Sequence, residues 1–331
     1  MRRRLVSFAV GIAAAMSVSA PVGSVSVDDA SAPTVLFIRG ADRSGGFFEA
    51  GDDAARTEQL ADVFNDSTAS RNHGWGALRA TLEREGYEVE QLLEGAEQPG
   101  PTEGRPVDLT AVTLTDYDIV VFGSNNAVYS FAHVDALDDY VRAGGAALFI
   151  SDANFGGSWP DAPNSDQQFL DRYGIEVYQD TGTYRIDDNE FTTPDHPVLA
   201  GVDAIDGEGV SPFDVGDATV DVTVLAAAEG NVRLNPGDSQ GGTQPAGPDD
   251  AAVWVSEVGD GRIAGHFDRN TFFNDNGAGT DLGRFDNERY AINLFAWLAA
   301  AAPTPTLGVD SIVDRANEDG GLLAARRVEQ E

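Results

Sequence analysis

The sequence predicts an α/β protein: a three-layer αβα domain on a mostly parallel sheet, with an added C-terminal hairpin and helix. Three observations carry that prediction. Short apolar runs alternate with stretches of helical spacing from residue 33 to about 302. Glycine closes successive helical stretches, at Gly86, at Gly144-Gly145 and at Gly174. Hydrophobic residues make up 42% of the chain, enough for a packed core.

Each element follows from local pattern. Thr34 to Gly40 is a short apolar run ending in glycine, the signature of a buried strand. Trp75 to Glu85 places Leu78 and Leu82 at helical spacing. Tyr87 to Leu93 alternates and reads as a half-buried strand. Tyr117 to Gly123 and Ala146 to Ser151 read as buried strands, with a helix from Val134 to Arg142 between them. A short helix from Gln167 to Tyr173 precedes a strand at Ile175 to Tyr178. His196-Pro197-Val198-Leu199 reads as the start of a short helix. Val222 to Ala227 and Ala251 to Ser256 read as strands, and Gly259-Asp260-Gly261 joins the second to Arg262–Phe267 as a hairpin. Asn287 to Ala301 is the strongest helix, with Asn287 as its expected cap and Ala291, Leu294, Phe295 and Leu298 on its apolar face.

The predicted sheet is flavodoxin-like, and the domain, residues 33–302, is larger than a minimal unit of that kind. Residues 1–26 read as a signal peptide: Arg2-Arg3-Arg4, an apolar run from Leu5 to Val18, then small residues. The run is too short for a membrane span, so an extracytoplasmic protein is expected, exported through the general or the twin-arginine route. Asn235 to Asp250 reads as a mobile loop, and residues 303–331 as a flexible acidic tail.

The chain has 55 acidic and 21 basic side chains, a formal charge of −34, and every basic residue is arginine. That balance excludes a nucleic-acid binder, which needs a basic face. It also disfavours an anionic membrane surface. Self-repulsion of this size is relieved by salt, so the composition points to a salt-adapted protein. Codon bias for arginine in a merely acidic secreted protein is the rival explanation. With no cysteine and four histidines, thiolate chemistry is excluded and no metal or cofactor is expected.

Three segments, in order, resemble one superfamily. They are Tyr117–Asp152; Phe169–Ile175 with His196–Val202; and Gly259–Ile263 with Asp268 and Asn287–Leu298. Together they resemble class I glutamine-amidotransferase-like domains, in the ThuA-like, DUF4350-like and β-galactosidase-trimerisation-like branches. The resemblance covers most of the core and implies the fold rather than an activity. It departs at the nucleophile. Those amidotransferases carry Gly-x-Cys-x-Gly where this chain has Phe149-Ile150-Ser151-Asp152-Ala153, so glutaminase activity is not expected.

Two constellations are candidates for chemistry. If Ser151 takes the nucleophile position, His266 and Asp268 fall where the superfamily places a base and its orienting acid. The plainer reading makes Ser151 a small strand-closing residue and His266 a satisfied core histidine. The second is a ligand pocket at the carboxyl ends of the parallel strands. It would draw on Arg39, Asp42, Arg43, Ser124, Asn125, Asn126, Asp152, Asn154, Asp268, Arg269 and Asn270, with His73 and Trp75 on its rim. Such groups suit a small polar molecule or a glycan, although loops after strands are polar in any case.

Two further motifs are set aside. Asn274–Gly277 with Asp281 and Asp286, and the run Asp187–Glu190, are oxygen-rich but lack calcium-loop spacing, and read as solvated loops. Gly237–Gly242 imitates a serine-nucleophile motif without its strand–turn–helix context. The expectation is a polar-ligand binding or accessory protein; the alternatives are a serine hydrolase using Ser151, His266 and Asp268, and a scaffold with partner binding in the tail.

Overall fold

The first strand shows how the sheet is buried on both faces. β1 (Thr34–Arg39) sends Val35 and Phe37 into one apolar core and Leu36 and Ile38 into the other. The structure, a computed structural model, describes residues 32–39, 60–67, 72–96, 104–123, 127–152, 164–178, 182–233, 243–275 and 279–300. All of these fall within the unit Ala32–Glu331. The expected signal peptide and tail, the Gly237–Gly242 motif, and Asp42, Arg43, Ser124, Asn125, Asn126 and Asn154 lie outside the described residues.

After β1 come α1 (Gly76–Arg84), β2 (Glu88–Leu93) and a small ribbon, β3 (Gly95–Ala96) with β4 (Gly104–Arg105). β5 (Ile119–Phe122), α2 (Phe131–Arg142) and β6 (Ala146–Ile150) follow. α2 begins three residues before its apolar periodicity, because Ser130 and His133 form a capping box. Then come α3 (Asn164–Leu170), β7 (Glu176–Val177), β8 (Thr183–Asp187), β9 (Ala204–Glu208) and β10 (Phe213–Asp214). The chain continues through β11 (Val222–Ala227), β12 (Asn231–Arg233), β13 (Thr243–Pro245), β14 (Asp250–Val258), β15 (Gly261–His266) and α4 (Asn287–Ala299).

The central nine-stranded sheet runs β2-β1-β5-β6-β15-β14-β10-β7, with β11 also on β14. β2, β1, β5, β6 and β15 are mutually parallel; the β14 side is antiparallel. α1 and α4 pack on one face, through Leu78, Leu82, Leu294 and Leu298. α2 and α3 pack on the other, through Leu137, Val141, Phe169 and Leu170. This is the three-layer αβα architecture read from the sequence.

The C-terminal hairpin read from the sequence forms between β14 and β15, and β15 pairs with β6 in parallel, completing the parallel half of the sheet. Two details differ from the sequence reading. Asn287 is not the cap of α4. Asp286 holds that position, and Asn287 is buried, its amide donating to the Asp206 carboxylate (2.9 Å) and the Asp281 carbonyl (2.8 Å). Residues 243–245, read as loop, form β13 against β12.

Candidate functional site

Parallel strands end together, so β1, β5, β6 and β15 deliver Arg39, Gly123, Ser151-Asp152 and Phe267-Asp268-Arg269 to one edge of the sheet. Arg39, Ser151, Asp152, Asp268 and Arg269 are all buried there; Asn270 is half-buried. Arg39 donates from Nε to the Leu60 carbonyl (2.6 Å), and its guanidinium stands 3.8 Å from the Asp62 carboxylate. Arg269 and Asp152 form an ion pair, 3% and 5% exposed. Exposure that low removes both charges from bulk water, so each depends on the other and on nearby polar atoms.

Asp268 is held by backbone. It caps the tight turn Arg269–Phe272, accepting from the Asn270 N–H (2.9 Å) at one oxygen and from the Glu208 N–H at the other. Burial, with repulsion from Asp152, raises its carboxyl well above the ordinary carboxylate range. The Asn270 amide closes the turn by donating to the Glu208 carbonyl (3.0 Å).

His266 belongs to a different network. Its Nδ1 lies 3.0 Å from the Tyr290 hydroxyl and its Nε2 2.9 Å from Thr271 Oγ1. Thr271 gives its own proton to the Asp206 carbonyl (2.7 Å), so His266 Nε2–H donates to Thr271 and Nδ1 accepts from Tyr290. Burial keeps the ring neutral and pushes its pKa down to about 3. Ser151 faces the other way, donating to Asp166 on α3 (2.7 Å). Ser151, His266 and Asp268 thus share a sheet edge without forming one relay, because their hydrogen bonds go to Asp166, to Tyr290 and Thr271, and to backbone N–H groups. The expected catalytic triad is not assembled. β6 and β15 pair Ile150 with His266, which puts His266 on the Ile150 face and Ser151, one residue later, on the opposite face.

His73 and Trp75 are not an open rim. Trp75 is 1% exposed and packs over Gly123, where an added Cβ would stand 2.2 Å from the indole. Its indole N–H donates to the Arg269 carbonyl (3.2 Å), so Trp75 is a strut beneath the site. His73 stacks flat on Phe273, centroids 4.4 Å apart. Of the predicted ligand residues that are described, Arg39, Asp152, Asp268, Arg269 and Asn270 gather at this edge.

Sequence reasoning missed Glu94 and Asp166. Glu94 follows β2 and is buried, accepting from the Ala127 N–H (3.1 Å) and the Tyr129 hydroxyl (2.8 Å). Its place directly after a strand of the sheet was the available signal. Asp166, in the first turn of α3, gave none, since an acid there is an ordinary helix-start residue.

The described parts of the two oxygen-rich runs have local explanations; Asn276 and Gly277 lie outside the described residues. Asp187 and Glu190 form a capping box around a single helical turn. Asn274 ties the start of α1 in place, accepting from the Ala77 N–H (2.7 Å) and donating to the Asn65 carbonyl (2.6 Å) and Asn72 Oδ1 (2.7 Å). Among the described residues, no group of three or more His, Cys, Asp or Glu is placed to hold a metal ion. None of the described helices is long and apolar enough to cross a membrane.

The fold and this buried polar edge define an α/β domain of the three-layer type with its candidate site at the strand ends. The chain belongs to the family described as "Domain of unknown function (DUF4350)", whose model matches residues 67–295, more than half of its length. Among solved structures it is similar to the mmIFT52 N-terminal domain: 13% identity, 80% of this chain and 96% of that one, TM-score 0.47. It is also similar to the cytoplasmic protein STM1381 of Salmonella typhimurium LT2 (14%, 80% and 99%, TM-score 0.44). A ThuA-like protein of Parabacteroides merdae gives 12%, 85% and 94%, with a TM-score of 0.45. No curated protein sequence matches significantly.

Proposed function

We propose that this chain is an exported, salt-adapted, amidotransferase-like domain that binds a small polar molecule or a glycan, as a binding or accessory protein without glutaminase activity. One observation carries the reading. Arg39, Asp152, Asp268 and Arg269, all charged or ionisable and nearly excluded from solvent, converge on the carboxyl edge of the parallel strands. Burying such groups destabilises a fold, and this edge is where open α/β sheets hold ligands. Paired guanidinium and carboxylate groups suit the hydroxyls and carbonyls of a sugar or a small acid. The absence of cysteine from the chain supports binding without glutaminase chemistry. The separate hydrogen bonds of Ser151 and His266 argue in the same direction against serine hydrolysis.

Export rests on the arginine-led apolar N-terminus, and salt adaptation on the charge of −34. The test is a glycan array followed by calorimetric titration in molar KCl. Arg269→Lys keeps the charge but loses the planar fork, and should weaken binding about tenfold. A wild-type chain that binds nothing across the array contradicts the proposal.

A further inference from the structure

Among the described residues, the Trp254 indole N–H and the Ser211 hydroxyl are fully buried without a hydrogen-bond partner. Native folds rarely leave such groups unpaired, because a buried orphan donor lowers stability. Their placement is not scattered. Trp254, on β14, meets Phe213 of β10 edge-on, centroids 5.7 Å apart. Its nitrogen edge fills the space over Gly265, its partner on β15, where an added Cβ would stand 2.1 Å from Nε1. Ser211 lies two residues before Phe213, and its N–H donates to the Phe267 carbonyl (2.8 Å), just past the end of β15. Ser151 lies beside the same strand end, its N–H donating to the His266 carbonyl (3.0 Å). Two serines therefore flank the end of β15, and the indole N–H lies over that strand one residue before His266.

We propose that Ser211 and Trp254, with Ser151, form an enclosed hydroxyl-recognition pocket on the α3 side of the strand-end site. This rests on the ligand-binding reading above and names the class of group bound: a neutral hydroxyl of a sugar or polyol. The donor–acceptor inventory selects it. Trp254 only donates. Ser211 donates or accepts. Ser151 has committed its proton to Asp166 and offers lone pairs. A hydroxyl donates once, accepts twice and carries no charge, so it matches this set. A carboxylate here would be an uncompensated buried charge beside the Asp166 carboxylate, and an ammonium has no lone pair to accept from the Trp254 N–H. Charged ligand groups belong instead beside the Arg269–Asp152 ion pair.

The test compares wild type, Ser211→Ala, Trp254→Phe and Arg269→Lys in molar KCl. The probes are the methyl glycosides of glucose, galactose and mannose, titrated calorimetrically, with thermal midpoints recorded without sugar. The pocket predicts that Ser211→Ala leaves the sugar-free midpoint unchanged or higher, because it removes an unpaired group. It also predicts that Ser211→Ala and Trp254→Phe each weaken the best-bound glycoside about tenfold. A midpoint that falls in Ser211→Ala overturns the proposal, since the hydroxyl is then satisfied without ligand, as by a structural water. Wild-type affinity in both variants, with affinity lost in Arg269→Lys, overturns the pocket and leaves the broader site standing. A wild-type chain that binds none of the three overturns both.

Discussion

Ser151 and His266 sit on adjacent parallel strands and leave them on opposite faces of the sheet. Ser151 N–H donates to the His266 carbonyl, so the two backbones touch. Their side chains diverge: the serine donates to Asp166 of α3, while the imidazole lies against Tyr290 of α4. A serine becomes a useful nucleophile only when a base takes its proton, and the sheet separates this serine from the nearest histidine. Fluorophosphonate treatment in molar salt should leave Ser151 unmodified by mass spectrometry. Labelling that disappears in Ser151→Ala would restore the hydrolase reading.

The neutral His266 should make the fold acid-sensitive. Its folded pKa of about 3 lies below its ordinary value of 6.5. Between those values the unfolded chain binds the extra proton. The contribution of His266 to stability is therefore complete above about pH 6.5 and falls as pH drops toward about 3, by up to ~1.4 kcal/mol per pH unit. Asp268 acts in the opposite sense. Its folded pKa is raised, so its contribution is present below its ordinary value and lost as pH rises through the folded one. Denaturant unfolding across this range should show a steeper acid limb in wild type than in His266→Gln. Equal limbs would show that the ring is protonated in the fold.

Arg269 and Asp152 should behave as a unit. Arg269→Gln strands a buried carboxylate beside Asp268 and should cost about 3–5 kcal/mol. Asp152→Asn in the same chain removes that charge, and should recover most of the loss in urea unfolding. Additive losses in the double variant would mean that the pair is not coupled.

Salt should hold the fold together. With a formal charge of −34, repulsion falls as the screening length shrinks from about 10 Å at 0.1 M to about 3 Å at 1 M. The thermal midpoint should rise steadily from dilute buffer to molar KCl, and dilution should unfold the domain reversibly. A midpoint independent of salt would contradict salt adaptation.

Much of the fold was legible because its strands are buried on both faces. Runs such as Ile119–Phe122 and Ala146–Ile150 are continuous apolar stretches, and few other structures produce them at that length. The β8–β9 hairpin was not legible. Thr183–Asp187 alternates polar and apolar residues over five positions, and 16 residues separate it from its partner Ala204–Glu208. The candidate site was legible by position and not by face. Chain order places Ser151, His266 and Asp268 at strand ends, but a single residue of register decides which face each side chain takes. Here the pairing of Ile150 with His266 decides against the triad. The burial of Trp75 was equally hidden, because it depends on a Gly123 some fifty residues away leaving room for the ring.

As proposed, the strand-end cluster binds a polar ligand and leaves it intact. Equilibrium dialysis of the wild-type chain against a glycan panel in molar KCl, with mass spectrometry of the retained ligand, tests it most directly. The predicted result is a retained glycan of unchanged mass, displaced when Arg269 is replaced by lysine. Cleavage products, or no retained glycan at all, would contradict it.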